Sequence, residues 1–177
     1  MTISEAQADL RRAYVGGGPG AFISGSLWFV AAWVEAHHGI RNSFITLFFG
    51  GMLIYPLGLA ASRLLFRRAS ESSGNPMAPI ALESTIAMIG CFFAAWLLLP
   101  FRPMLVMPLA AIAVGTHYFA FKTVYGDRLY WVLAALLTGV GFGQIYTSAI
   151  PGGVMPAVAA IEILFGLILI VRDVRAR

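Results

Sequence analysis

The sequence predicts an all-α polytopic membrane protein in which six transmembrane helices form one bundle. Only 11% of the residues are charged and 59% are hydrophobic, whereas ordinary soluble domains carry roughly 25% charged residues. The apolar residues lie in long runs, and about 20 such residues are what a helix needs to cross the hydrocarbon core. Outer-membrane strands would alternate with period two over roughly 10 residues, so helices are expected.

Six apolar runs follow one another along the chain, and together they define a predicted transmembrane domain over residues 21–171. The second and fifth runs hold no charged residue, and the carboxylates in the others are Glu35, Glu83 and Glu162. The runs are Ala21–Gly39, Ser43–Ser62, Met77–Leu99, Pro103–Phe121, Leu129–Pro151 and Gly152–Val171. Residues 172–177 are expected to form a basic cytoplasmic tail.

Residues 1–20 are predicted to form an interfacial amphipathic helix and a Gly-rich hinge. Ser4 and Gln7 have the spacing of a capping box. Apolar residues recur at helical spacing at Ile3, Ala6, Leu10 and Ala13, as in helices that lie on a membrane surface. The stretch "GGGPG" then permits a sharp turn into the bilayer. A frayed polar tail is the alternative.

The distribution of cations predicts that both termini face the cytoplasm. With the N-terminus inside, the outer segments hold only Arg41 and Arg102 of the 12 Lys and Arg residues. Cytoplasmic loops carry the excess of Lys and Arg. The formal net charge of +4 therefore indicates contact with anionic headgroups of a lipid bilayer, and no nucleic-acid partner is expected.

Four stretches together resemble a bacterial family of small, uncharacterised six-helix membrane proteins. They are "RRAYVGGGPG", "GNPMAPIALEST", "VYGDRLYW" and "AAIEILFG", and they extend from the N-terminal segment to the sixth run. The resemblance implies a multi-pass protein of the bacterial cytoplasmic (inner) membrane. It implies no activity and no catalytic residue.

Glu83 and His117 are the first candidate binding residues. Glu83 lies about 9 Å and His117 about 7 Å from the cytoplasmic ends of their runs, counted at 1.5 Å per residue. Ionisable groups inside membranes usually face the bundle interior and mark functional sites. We therefore expect a polar pocket open to the cytoplasm, in which Glu83 binds a ligand or carries a proton. The alternatives are a structural tie between the third and fourth helices and a protonated carboxyl that caps backbone groups.

The remaining candidate binding residues are Glu162, Tyr118, Tyr130 and Arg128. Glu162 lies near the middle of the sixth run, with small residues on neighbouring turns, and both tyrosines fall in the cytoplasmic half. Arg128 belongs to the cytoplasmic stretch "KTVYGDRLYW", where Arg128 and Lys122 would form a clamp that donates to a headgroup or anion. An ordinary interfacial belt of aromatic and basic residues is the alternative there.

No metal site, cofactor or catalytic residue is expected. Bis-His ligation of two haems requires four histidines, and this chain has three. The glycines of "TGVGFGQ" follow no strand, so close helix packing explains them better than nucleotide binding. No complete nucleophile–base set is visible, and an enzyme is therefore not expected.

Two classes of function remain. In the first, the protein binds or transports a small solute, an ion or a proton through a polar intramembrane pocket. In the second, it is a non-transporting membrane protein, either lipid-binding or an assembly subunit, whose carboxylates are structural. Both classes are compatible with a homo-oligomer of this chain. Water reaching Glu83 and Glu162 would favour transport, and a sealed core would favour the second class.

Overall fold

The computed structural model describes residues 1–147 and 150–176, which fold into helices without any strand. The helices are α1 Ile3–Tyr14, α2 Gly18–Gly51, α3 Ile54–Ala60, α4 Ala78–Leu98, α5 Val106–Tyr125, α6 Leu129–Thr147 and α7 Val154–Arg175. A π-helical turn, Ala61–Leu65, extends α3. The predicted all-α class is confirmed.

Within residues 1–147 and 150–176, five helical segments are long and apolar enough to cross a membrane, judged by length and composition. They are Ile3–Gly51, Ala78–Leu98, Pro103–Tyr125, Leu129–Thr147 and Val154–Arg175. The first has 49 residues, and Ile54–Leu65 is a shorter apolar helix. These segments match the composition of a membrane protein.

The helix α2 is folded into a hairpin at Gly39. Its φ of 80° and ψ of 167° lie in a region that only glycine adopts readily. Ser43 Oγ donates to the carbonyl of Ala31 at 2.6 Å, although residues 12 apart in an unbroken helix are about 18 Å apart. The two arms, 18–38 and 40–51, therefore run antiparallel.

Glycines bring the first arm of α2 against α7. A Cβ atom on Gly25 would lie 2.8 Å from the backbone nitrogen of Ile163 and 2.9 Å from the carbonyl of Ala159. A Cβ atom on Gly166 would lie 2.6 Å from the backbone nitrogen of Phe22. Small residues allow two helix backbones to approach this closely, so the α2–α7 contact depends on them.

The pairing of α5 with α6 also depends on a glycine. A Cβ atom on Gly141 would lie 2.6 Å from both Ile112 Cγ1 and the carbonyl of Pro108. One on Gly139 would meet nothing within 4 Å, and one on Gly143 would make an ordinary contact. The close packing expected for "TGVGFGQ" is therefore found at Gly141 and not at Gly139.

The cap of α1 differs from the expected one. The Thr2 hydroxyl accepts the backbone N–H of Glu5, and the Glu5 carboxylate accepts the N–H of Thr2. The capping box predicted at Ser4 and Gln7 is wrong, because the helix begins earlier. Gln7 instead donates to the carbonyl of Thr123 at 2.7 Å, which ties α1 to the end of α5.

The apolar face of α1 is covered by protein. Three of the four expected apolar residues are buried, namely Ala6, Leu10 and Ala13. Ile3, in the first turn, is 64% exposed. Arg11 donates to the carbonyl of Tyr125, so α1 caps the end of the bundle where α5 leads into α6.

Asp9 fastens α1 to the connection between α3 and α4. Its carboxylate accepts the N–H of Ser72 at 2.7 Å, the amide of Asn75 at 3.1 Å and the guanidinium of Arg12 at 2.6 Å. Burial alone would raise the pKa of Asp9, but these hydrogen bonds lower it from 3.8 to about 2. The carboxylate is therefore the form that holds α1 in place.

We expect the docking of α1 to weaken as pH falls from about 4 to about 2. A carboxyl whose pKa is depressed on folding contributes fully above its unfolded pKa of about 4. That contribution is lost as pH approaches the folded value of about 2. Hydrogen-exchange protection of α1, corrected for intrinsic rates, should show this fall. Asp9→Asn should already be less protected at pH 6, and an equal pH dependence in that variant would contradict the assignment.

Candidate functional site

Glu162 lies in the interior of the helical bundle with 0% of its surface exposed. It belongs to the packed face of α7, where buried residues recur every three or four positions as expected for a helix. Those residues are Val158, Ala159, Glu162, Phe165, Gly166 and Leu169. The helical register therefore points a carboxyl group into the core.

Three helices surround the Glu162 carboxyl group. Ser24 of α2 and Tyr118 of α5 are the polar side chains that face it. Neither reaches hydrogen-bond geometry, and among the described residues both carboxyl oxygens lack a partner. A buried polar group left unpaired costs about 1–3 kcal/mol, and more when it is charged. This carboxyl is therefore an energetic liability in a sealed core.

A column of tyrosines connects this site with the turn after α1. The Tyr118 and Tyr130 rings stack with centroids 6.0 Å apart, and the Tyr130 hydroxyl donates to the carbonyl of Gly16 at 2.6 Å. At Gly17, where φ is +79°, a Cβ atom would lie 2.2 Å from the Tyr130 hydroxyl. Only glycine fits there, so the hinge is shaped around Tyr130.

Three of the six predicted binding residues, Glu162, Tyr118 and Tyr130, thus lie along one path. His117 is next to Tyr118 in sequence but lies beside the backbone of Ser84 on α4, since adjacent helical residues point about 100° apart. Its Nδ1 atom is buried and, within the described residues, has no hydrogen-bond partner.

Glu83 is exposed on α4. No hydrogen bond or ion pair joins Glu83 to His117 in the part of the chain that the structure describes. The structure therefore does not bring Glu83 and His117 into one pocket with Glu162.

Arg128 is exposed in the connection between α5 and α6. Its side chain makes no hydrogen bond or ion pair within residues 1–147 and 150–176. Nearby, the Lys122 amine lies 5.2 Å from the centre of the Trp131 ring, and Arg172 pairs with Asp127 at 3.0 Å. The predicted anion clamp at Arg128 and Lys122 stays a prediction.

Ser24 is the site residue that does not belong to the six predicted binding residues. It is one of two serines in its apolar run, with Ser26, and the run itself does not show which helix Ser24 contacts. The signal that could have found it is its neighbour Gly25, because a small residue marks the position where α7 comes close.

The chain matches a family model over residues 3–172, and that model is described as a family of unknown function, DUF7010. No match was found among curated proteins or among solved structures. The expected resemblance to an uncharacterised family is therefore confirmed. Because the match covers nearly the whole chain, this protein belongs to DUF7010, a family of unknown function.

Proposed function

We propose that this protein spans a bacterial cytoplasmic membrane six times, with both termini in the cytoplasm. The turn at Gly39 supports this count, because it divides the 49-residue segment into two antiparallel arms. The second arm continues through α3 to residue 65. Leu64, Leu65 and Leu97 are at least 69% exposed, and apolar side chains of this kind suit a lipid-facing surface. The bias of Lys and Arg supports the orientation.

Within this membrane domain, Glu162 binds and passes on protons. One observation carries the proposal, namely that a fully buried carboxyl has neither oxygen paired among the described residues. An ionised carboxylate without a counter-ion is costly in an apolar interior. The site is therefore complete only when a proton or small cation neutralises it. Intramembrane carboxylates with this property commonly form proton relays.

The tyrosine column supports a route from Glu162 toward the end of the bundle that α1 caps. Tyr118 faces the carboxyl group, and Tyr130 continues the column to Gly16. Hydroxyl groups both donate and accept hydrogen bonds, so the Tyr118 hydroxyl is suited to exchange a proton with Glu162, while Tyr130 extends the column by ring stacking. Ser24 offers a further hydroxyl from α2.

Vesicles containing the purified protein and a trapped pH dye test this function. Under an imposed membrane potential, we expect proton flux above that of protein-free vesicles, and Glu162→Gln should abolish the excess. Gln keeps the shape of Glu but cannot release a proton. Glu83→Gln is the matched control and should retain flux, because Glu83 lies exposed outside the site. Equal flux in the wild type and Glu162→Gln would refute the proposal, as would wild-type flux no greater than that of protein-free vesicles.

The second candidate is a non-transporting membrane protein in which Glu162 is structural. The sealed position of Glu162 favours this candidate, since the residue has no exposed surface. Glu162 lines neither the groove between α1, α3 and α4 nor the cavity in the aromatic cluster of Phe44 and Phe92. If this candidate is correct, no proton flux is expected. The core is then expected to lose stability when the carboxyl group is removed.

A further inference from the structure

A groove with a volume of about 690 Å³ opens between the end of α1, the segment formed by α3 and its π-turn, and the start of α4. Binding pockets for small molecules typically measure about 300–1,000 Å³. The groove lies outside the Glu162 site, and neither Glu162 nor Tyr118 lines it. Its role is therefore a separate question from proton movement.

The wall of the groove carries a cation and an anion in loose contact. Arg63 lies 3.5 Å from Glu71, and their side chains are 23% and 27% exposed. Charge-assisted hydrogen bonds of good geometry measure about 2.7–2.9 Å, so this pair is not tightly closed. Each group retains exposed surface that a ligand can contact.

Two tyrosines surround the carboxylate of this pair. The Tyr14 hydroxyl donates to Glu71 at 2.8 Å, and the Tyr14 and Tyr55 rings have centroids 6.4 Å apart. Burial, with the adjacent Tyr55 and Glu71, raises the pKa of Tyr14 above its ordinary value, so its hydroxyl stays a donor. Aromatic faces beside a carboxylate favour an ammonium group.

Apolar side chains also line the groove. Leu59 of α3 and Leu82 of α4 line its walls, together with Ala78 and Pro79 at the start of α4. Leu82 is 63% exposed. The groove thus combines the charged pair of Arg63 and Glu71 with apolar walls from two helices, as an amphiphile combines a headgroup with acyl chains.

We propose that this groove binds a zwitterionic phospholipid with a phosphoethanolamine headgroup. Arg63 pairs with the phosphate, and Glu71 with Tyr14 and Tyr55 holds the ammonium group. The acyl chains follow Leu59 and Leu82. The two facing side chains carry opposite unit charges that sum to zero, which complements a zwitterion better than an anionic lipid.

Lipid retention by the full-length protein, measured by native mass spectrometry, tests this assignment. Phosphatidylethanolamine should be retained more than phosphatidylglycerol with the same acyl chains, and Arg63→Gln should lose most of that retention. Arg67→Gln is the control, because Arg67 is exposed four residues after Arg63, in the 66–77 connection, but does not line the groove. Equal retention of the two lipids by the wild type, or equal losses in Arg63→Gln and Arg67→Gln, would overturn the proposal.

Glu71→Gln supplies a second measurement that does not depend on Arg63→Gln folding. It leaves Arg63 as an unpaired cation, so the preference should move toward phosphatidylglycerol, and an unchanged preference would overturn the role of Glu71. Soluble phosphoethanolamine should bind the wild type much more weakly than the lipid. Equal binding would show that the groove recognises a free headgroup compound and not the lipid.

Discussion

Gly141→Ala should destabilise the protein, whereas Gly139→Ala should leave its stability unchanged or raise it. The added Cβ atom at Gly141 would lie 2.6 Å from Ile112 Cγ1 and from the carbonyl of Pro108. Relieving these contacts requires α5 and α6 to move apart, and overpacking of this kind costs about 1–3 kcal/mol. Alanine is favoured over glycine within a helix by about 1 kcal/mol, which partly offsets the loss.

Thermal unfolding of both variants in detergent measures this difference. The comparison is closely matched, because the two glycines lie two residues apart on α6 and receive the same added methyl group. At Gly139 that group meets nothing within 4 Å, so only the gain in helix propensity remains. Equal shifts of the melting temperature would show that α5 and α6 do not pack as described.

Glu162→Met should raise the melting temperature, and Tyr130→Phe should lower it. Methionine has a similar straight side chain but no carboxyl oxygens, so the change removes two buried acceptors that lack partners among the described residues. The gain is about 1–3 kcal/mol if the full penalty of an unpaired buried group is recovered. Tyr130→Phe instead deprives the Gly16 carbonyl of its 2.6 Å hydrogen bond, at a cost of about 1–3 kcal/mol.

The sign of the shift in Glu162→Met separates a functional carboxyl from a structural one. A group kept for proton binding is a burden on folding, and its removal improves stability while ending flux. A carboxyl group that ties α2, α5 and α7 together would show the reverse. A lower melting temperature in Glu162→Met would therefore contradict the assignment of Glu162 as a proton site and favour the non-transporting candidate.

The helices could be predicted from the sequence because long apolar runs are a local property. The differences lie at the ends of the runs and within the second run, which the structure divides at Met52 and Leu53 between α2 and α3. The fourth run ends at Phe121, but α5 continues to Tyr125 because Lys122 and Thr123 are helical without being apolar. Residues 40–42 lie in the gap between the first two runs, yet they are helical because Gly39 alone makes the turn.

The site could be predicted only in part, and Glu83 and Glu162 show the reason. Both carboxylates lie in apolar helices with alanines close by, yet one is exposed and the other is fully buried. In a helix that is apolar on all sides, periodicity does not distinguish the packed face from the outer one. Ser24 and Tyr118 meet Glu162 only through the pairing of distant helices, which no local pattern encodes.

The turn at Gly39 affects the order in which the chain folds during synthesis as well as the final structure. Its two arms are neighbours in sequence, and closing a loop of one residue costs little chain entropy. The contact between Ser43 and Ala31 is available before α4 to α7 have been synthesised. In the membrane arrangement proposed above, the two arms can therefore insert together as a preassembled hairpin, and α7 then packs against a surface that already exists.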